Sequence, residues 1–230
     1  MKTSLKRKLI VLLGVAAVLL VPLTAQAVTY GFYNITNNNA ANAATAGQYL
    51  VDVTAYAATP ANDVLFLFTN SGPVASSICD VYFDDGTLLY LAQVFNSTGV
   101  SFTQAEISKV SPPDLPGGNN ITPHFNVTGY FKADTDPPVQ PNGVNPGEQL
   151  GILFTLQPGE DVAHTVTALT NGDLRIGIHV QAIGTGGSES FVNNKIPGGG
   201  GGVIPVPPTV WLLGSGLVGI GLLGWRRKKS

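Results

Sequence analysis

Charge, cysteine and long apolar runs are all scarce in this chain of 230 residues, and each scarcity closes a class of function. Only 11% of the residues are charged, which leaves a coiled coil without its usual flanks. A single cysteine cannot staple a disulfide miniprotein. The three histidines, His124, His164 and His179, are spread along the chain with none of the His-x-x-x-His spacing of a zinc site. Glycine and proline, by contrast, are plentiful at 28 and 16 residues. The length suits one ordinary domain with attached signals.

The position of the charges matters more than their sum. Lys2, Lys6, Arg7 and Lys8 stand at one end and Arg226, Arg227, Lys228 and Lys229 at the other, while all 14 acids lie between. From Val28 to Gly202 only Lys109, Lys132, Arg175 and Lys195 oppose those 14 acids, which gives a formal charge of −10. A body so acidic has no surface to neutralise phosphates, so nucleic acid is excluded as a partner.

Residues 1–27 read as a secretory signal. A basic stretch ends at Lys8, and the apolar run Leu9–Val21 is 13 residues long. That is short of the ~20 residues that a membrane-spanning helix needs. Ala25-Gln26-Ala27 supplies the small side chains that a signal peptidase accommodates, so the mature chain is expected to begin at Val28. Once exported, Cys79 has no intramolecular partner. Its strand-like setting, Ser77-Ile78-Cys79-Asp80-Val81-Tyr82-Phe83, predicts a small buried filler, with intermolecular pairing as the second reading. A reactive thiolate would need a neighbouring base, and Asp80 opposes one.

After Lys195 the composition changes. Pro197 and the uninterrupted glycines 198–202 predict a flexible linker over 196–209. The sixteen residues Val210–Trp225 carry no charge and are followed by the basic tail 226–230. This pattern predicts a membrane segment with its positive end held inside. Its length, roughly 24 Å as a helix, falls below the ~30 Å hydrocarbon core. Trp211 and Trp225 sit near the two interfaces, and Ser215 and Gly219 would let another helix approach. So short a span suits recognition and cutting better than permanent anchoring.

Pro205-Val206-Pro207, the apolar span and the terminal basic cluster together resemble the PEP-CTERM sorting signal of Gram-negative bacteria, which the exosortase family of membrane enzymes processes. The run Val206-Pro207-Pro208-Thr209-Val210-Trp211-Leu212-Leu213-Gly214-Ser215-Gly216-Leu217 is similar to one common variety of that tail, with Val206 where the family usually has Glu. The resemblance implies export through the inner membrane, transient membrane anchoring, and release to the cell surface or extracellular space.

Between the ends the periodicity is mostly two. Asn62–Thr69 is a short apolar run of the kind a strand covered on both faces shows, and Gln149–Leu156 and Phe125–Phe131 alternate. Leu174, Ile176, Ile178 and Val180 alternate with Arg175, Gly177, His179 and Gln181, which predicts one aliphatic core-facing side. Ile78–Phe83 and Thr87–Phe95 flank Asp84-Asp85-Gly86, a hairpin signal that predicts antiparallel neighbours. Thr103-Gln104-Ala105-Glu106 reads as a capping box opening a short helix. Val162, Val166 and Leu169 fit a second helix ended by Asn171-Gly172, although a strand is also compatible. The expectation over residues 28–195 is an all-β, antiparallel two-sheet β-sandwich of jelly-roll or Ig-like type with one or two short helices. Asp80–Gly86, Asp136–Leu150, Leu174–Gln181 and Ser188–Phe191 also resemble an uncharacterised group of PEP-CTERM exported proteins, which brings no ligand or catalytic residue with it.

Chemistry-bearing motifs are few. No Gly-x-Ser-x-Gly elbow supports nucleophilic catalysis, although triads assemble across a fold. His179 is expected to be solvated or hydrogen-bonded on the polar side of its strand. Asp80, Asp84, Asp85, Asp134 and Asp136 are the acids that could offer oxygen ligands to one loop Ca²⁺, although no twelve-residue calcium loop is present. The expectation that results is a non-enzymatic protein, which the PEP-CTERM resemblance implies to be at the surface or in the extracellular matrix. The partners expected are a signal peptidase and the membrane and, as the resemblance implies, an exosortase and exopolysaccharide or biofilm material. The alternatives are a carbohydrate-binding or adhesive module, with Tyr49, Tyr56, Tyr82 and Tyr90 as its aromatic face, and a hydrolase on the same scaffold.

Overall fold

The computed structural model describes residues 27–56, 63–84, 89–105, 114–127 and 132–198. The signal segment with Ala25, the sorting motif Pro205-Val206-Pro207, the apolar span with Trp211 and Trp225, the basic tail and Asp85 lie outside the described residues. Among the described residues no helix is long and apolar enough to cross a membrane.

Period-two patterning dominates what is described. Ten strands follow one another: β1 (Val28–Asn34), β2 (Tyr49–Ala55), β3 (Asp63–Asn70), β4 (Ser77–Asp84), β5 (Leu89–Asn96), β6 (Phe102–Ala105), β7 (Lys132–Thr135), β8 (Gln149–Leu156), β9 (Arg175–Gln181) and β10 (Ser188–Asn193). In β2, Tyr49, Val51 and Val53 are buried while Leu50, Asp52 and Thr54 are less so, as one covered face requires. In β9, Ile176, Ile178 and Val180 are fully buried, as their alternation predicts, and Leu174 just before the strand is buried with them.

All pairings are antiparallel. The strands run as one ten-stranded sheet in the order β5-β8-β3-β2-β1-β10-β9-β4-β7-β6, where two separate sheets were expected. Continuity comes from β1, which is shared along its length. Val28–Gly31 pair with β2, whereas Phe32–Asn34 pair with β10. The two edges also approach each other at their chain connection, where Asn96 Nδ2 donates to the Phe102 carbonyl at 3.0 Å and Phe102 N donates to Asn96 Oδ1 at 2.8 Å.

The main core forms where distant parts of the sheet order meet. The Phe83 ring of β4 lies 5.2 Å from Phe66 of β3 and 4.7 Å from Phe154 of β8, both near edge-on, and Tyr49 of β2 meets Phe191 of β10 at 5.1 Å. Edge-to-face rings of this kind add to what area burial alone contributes. The helix Val162–Asn171 closes one side. Asp161 caps it by accepting from His164 N, and Gly172 ends it at φ 85°, a left-handed conformation that glycine adopts without Cβ strain. Tyr30 anchors the helix, its hydroxyl donating to the Val166 carbonyl at 3.1 Å.

Three expectations fail for physical reasons. The hairpin across Asp84-Asp85-Gly86 does not form, because β4 lies between β9 and β7 while β5 pairs with β8. Turn chemistry acts locally, and β4 is an inner strand buried from Ser77 to Phe83 whose ladder needs two other partners. The capping box at Thr103 is instead strand β6, paired with β7, with Phe102 buried and Thr103 and Gln104 exposed. Phe125–Val127 is irregular rather than a strand, and the rest of that run lies outside the described residues.

One carboxylate organises the turn after β1. Glu189, 1% exposed, accepts from Asn34 Nδ2 at 3.1 Å, Asn38 N at 3.0 Å, Asn39 N at 2.7 Å and the Thr36 hydroxyl. Burial pushes its carboxyl up, but the Thr36, Asn34 and backbone bonds outweigh that and hold it below its ordinary value of 4.5. A depressed carboxyl stabilises the fold above the unfolded value and loses that contribution as pH falls. The melting temperature is therefore expected to drop as pH is lowered below 4.5, and Glu189→Gln should flatten part of that drop in a pH series of thermal melts. Phe83→Ala should cost ~3–5 kcal/mol in urea denaturation. Tyr33→Ala, at a ring 40% exposed, should stay close to the parent.

Candidate functional site

Directly opposed residues of an antiparallel pair share a face of the sheet. Pairing therefore sets out a row Ser190–His179–Asp80–Asp134–Thr103 across β10, β9, β4, β7 and β6. A second row, Val192–Gly177–Tyr82–Lys132–Ala105, runs beside it. Both lie on the face opposite Val81, Phe83, Ile176 and Ile178, which fill the main core. A register shift between Ile78 and Asp80 brings Asp80 opposite His179.

On an ordinary outer face these rows would meet water, but here the segment 114–127 lies over part of them. Leu115 and Phe125 pack with Tyr82, Val192 and Ile35 in a second hydrophobic cluster. Gly177 makes that seat possible. A Cβ there would stand 2.6 Å from Leu115 Cδ2 and 3.0 Å from Phe125 Cζ, so the absent side chain is what lets the layer close. Arg175 ties the layer down, donating to the carbonyls of Pro123 at 2.7 Å and His124 at 2.6 Å and pairing with Asp84, with its guanidinium 5.3 Å from the Phe125 ring. Asp84 in turn accepts from Asn126 N at 3.1 Å.

Beside this layer sits a buried ionic cluster. Lys132 Nζ lies 2.8 Å from Asp80 Oδ1 and 3.6 Å from Asp134 Oδ2, and its side chain is fully buried. The Tyr82 ring centroid is 5.0 Å from the same nitrogen, a cation–π distance. Asp80 Oδ2 accepts from His179 Nδ1 at 3.1 Å. Burial pushes the Asp80 carboxyl up, but bonds from His179 and Asp134 and the Lys132 charge bring it down to about 2. Asp134 goes the other way, raised to about 6 by burial and by its bond and charge repulsion with Asp80, against the opposing pull of Lys132. Two carboxyls opposed across a strand pair thus part in proton affinity, and Asp134 is the one that takes up a proton first as pH falls.

The remaining residues singled out from the sequence are placed apart. Asp136 accepts from the Ser101 hydroxyl at 2.7 Å and from Thr103 Oγ1 at 3.3 Å. Of the proposed oxygen ligands only Asp80 and Asp134 come together, and among the described residues no group of three His, Cys, Asp or Glu could hold a metal ion. His179, expected to be solvated or hydrogen-bonded, is largely buried and bonded to Asp80. His164 is exposed beside Glu160 and Asp161, and His124 is exposed in the 114–127 layer. Ser190 is fully buried beside His179, but its hydroxyl has no partner among the described residues. The aromatic face does not exist as expected, since Tyr49 and Tyr82 are fully buried in the two cores and Tyr56 stacks on Phe95. The side chain of Tyr90 lies outside the described residues. A depression of about 380 Å³ lies elsewhere, lined by Ala41, Thr45, Gln48, Ser71, Pro73 and their neighbours, with no titratable group.

Sequence reasoning missed Lys132 and Tyr82 as members of the site. The available signal was the spacing Lys132-x-Asp134, which places both side chains on one face of a strand. Cys79 is buried as predicted and its thiol donates to the Ser77 carbonyl at 3.4 Å. Burial chiefly, with the Asp80 charge adding, pushes it up to about 12. It should therefore resist thiol reagents in the folded protein and react stoichiometrically once the chain is denatured, as read by Ellman titration with and without guanidinium.

No family model, curated protein or solved structure matches this chain, so its function has to be argued from the geometry above and from the two chain ends.

Proposed function

We propose that the chain is an exported, non-enzymatic surface or extracellular-matrix protein of a Gram-negative bacterium, sorted by an exosortase and associated with exopolysaccharide or biofilm material. The observation that carries this reading is the C-terminal order Pro205-Val206-Pro207, uncharged span, Arg226–Lys229, matched at the other end by a secretory signal. Geometry is consistent with it. Strand β1 opens at Val28, one residue beyond Ala27, and Val28 already pairs with Val53. Cleavage after Ala27 would leave the first strand whole. At the far end, Gly198 N donates to the Thr29 carbonyl at 2.9 Å, so the glycine linker departs beside the start of β1. A body whose two ends leave from one place suits carriage on a single tether.

We read the folded-over sheet as a two-sheet sandwich scaffold, with β2, β3 and β8 facing β4 and β10. The ring contacts of Phe83 and Tyr49 support that reading.

The test is expression of the full chain in a Gram-negative host with an exosortase and in the same host without one. With the enzyme, the surface or medium should hold a species that begins at Val28 and lacks the apolar span. Without it, a species that keeps residues 210–225 should stay in the membrane fraction. Intact masses that retain residues 1–27, or identical fractionation in both hosts, would overturn the proposal.

A further inference from the structure

The buried cluster holds the parts of a covalent bond. An amide between a lysine and an aspartate needs an amine touching a carboxyl, a second acid to move protons, and exclusion of the water that would reverse the reaction. Lys132 Nζ already lies 2.8 Å from Asp80 Oδ1, on neighbouring strands, with the lysine side chain fully buried. Asp134 stands 3.6 Å from the same nitrogen and directly opposite Asp80 in the β4–β7 ladder. His179 Nδ1 holds the other Asp80 oxygen at 3.1 Å. The Tyr82 ring forms one wall, and it belongs to the cluster sealed by Leu115 and Phe125.

We propose that Lys132 and Asp80 condense to an intramolecular isopeptide bond that joins β7 to β4 through their side chains.

The reaction balances without any co-reactant. The ion pair of a lysine ammonium and an aspartate carboxylate contains every atom of the amide plus one water. Nζ gives up two protons and forms a bond to Cγ of Asp80. One Cγ–O bond breaks, and that oxygen leaves with the two protons as water. No electrons are transferred, and one positive and one negative charge disappear together. Asp134 is the proton carrier: it lends its proton to Asp80, which makes Cγ electrophilic, and recovers one from Nζ as the C–N bond forms. Its raised affinity for a proton, up to about 6, suits that task. His179 fixes the orientation of the Asp80 carboxyl, which makes it a positioning residue. Two groups held in contact by the sheet react as one molecule, and effective molarities of ~10⁵–10⁸ M are the general reward of such placement. The loss of a buried charge pair adds to the drive, because desolvated ions are costly even when matched.

This inference does not depend on how the protein is sorted, and its test is independent of the one above. The full chain is purified under denaturing conditions, its intact mass is compared with that of its sequence, and a proteolytic digest is sequenced by tandem mass spectrometry. The expected result is a deficit of one water, together with a branched peptide in which Lys132 is joined to Asp80. Loss of water with no branched peptide would assign the deficit to another residue and overturn the proposal. Full linear mass, with Lys132 and Asp80 recovered in separate peptides from a chain that melts cooperatively, would reduce the cluster to an ion pair and also overturn it. Asp134→Asn keeps the shape of the side chain and removes the proton carrier. That variant should melt cooperatively and remain at full linear mass, and cross-linking as complete as in the parent would refute the role given to Asp134.

Discussion

The structure depends on the covering of β4 on both faces. Val81 and Phe83 enter the main core, while Tyr82, one residue out of phase, enters a second layer roofed by the segment 114–127, and Asp80 is buried beside it. A strand in that position has no face left for solvent. Any ionisable group beside it must then be matched by a partner, because an unpaired buried charge costs several kcal/mol. Lys132, Asp80, Asp134 and His179 are that matched set. Burial and mutual proximity also part the proton affinities of Asp80, lowered, and Asp134, raised.

The covering in turn depends on small features. Gly177 stands opposite Tyr82 and lacks the Cβ that would strike Leu115. Arg175, two residues away on the same face of β9, reaches up to the carbonyls of the roof and down to Asp84. Strand β9 thus presents Arg175 as a clasp, Gly177 as a gap and His179 as an electrostatic partner along one side, while its other side is wholly aliphatic. One strand of alternating sequence serves two interiors.

Much of this was legible in the sequence. The apolar patterning of β9 and β8 showed their strand type and, for β9, its core side, because Ile176, Ile178 and Val180 bury one face, although β8 is buried continuously from Leu150 to Phe154. The helix from Val162 was legible from its spacing and from Asn171-Gly172 at its end. Pairing was less legible. Asp84-Asp85-Gly86 carries a strong local turn signal, yet β4 pairs with β9 and β7, and nothing local in the chain records those long-range ladders. The aromatic residues Tyr49 and Tyr82 misled in the same way, since a strand tyrosine fits an exposed face and a buried one equally well. Lys132 was visible as one of four interior bases, and its spacing from Asp134 puts both on one strand face, but its burial comes from tertiary packing that neighbouring residues do not record.

The place of the ionic cluster in the sheet gives it a mechanical meaning. Among the described residues the sheet continues beyond β4 through β7 and β6, with β6 at the edge. An edge strand has a ladder on one side alone, and local opening begins where such bonds are few. Lys132 of β7 reaches diagonally to Asp80 in the middle of β4, so the cluster ties that side of the sheet to one of its best buried strands. A chain with one cysteine, itself sealed inside β4, cannot brace that edge with an internal disulfide. An ion pair there holds only while its carboxylates stay charged. An amide at the same place would hold in acid, in salt and under load.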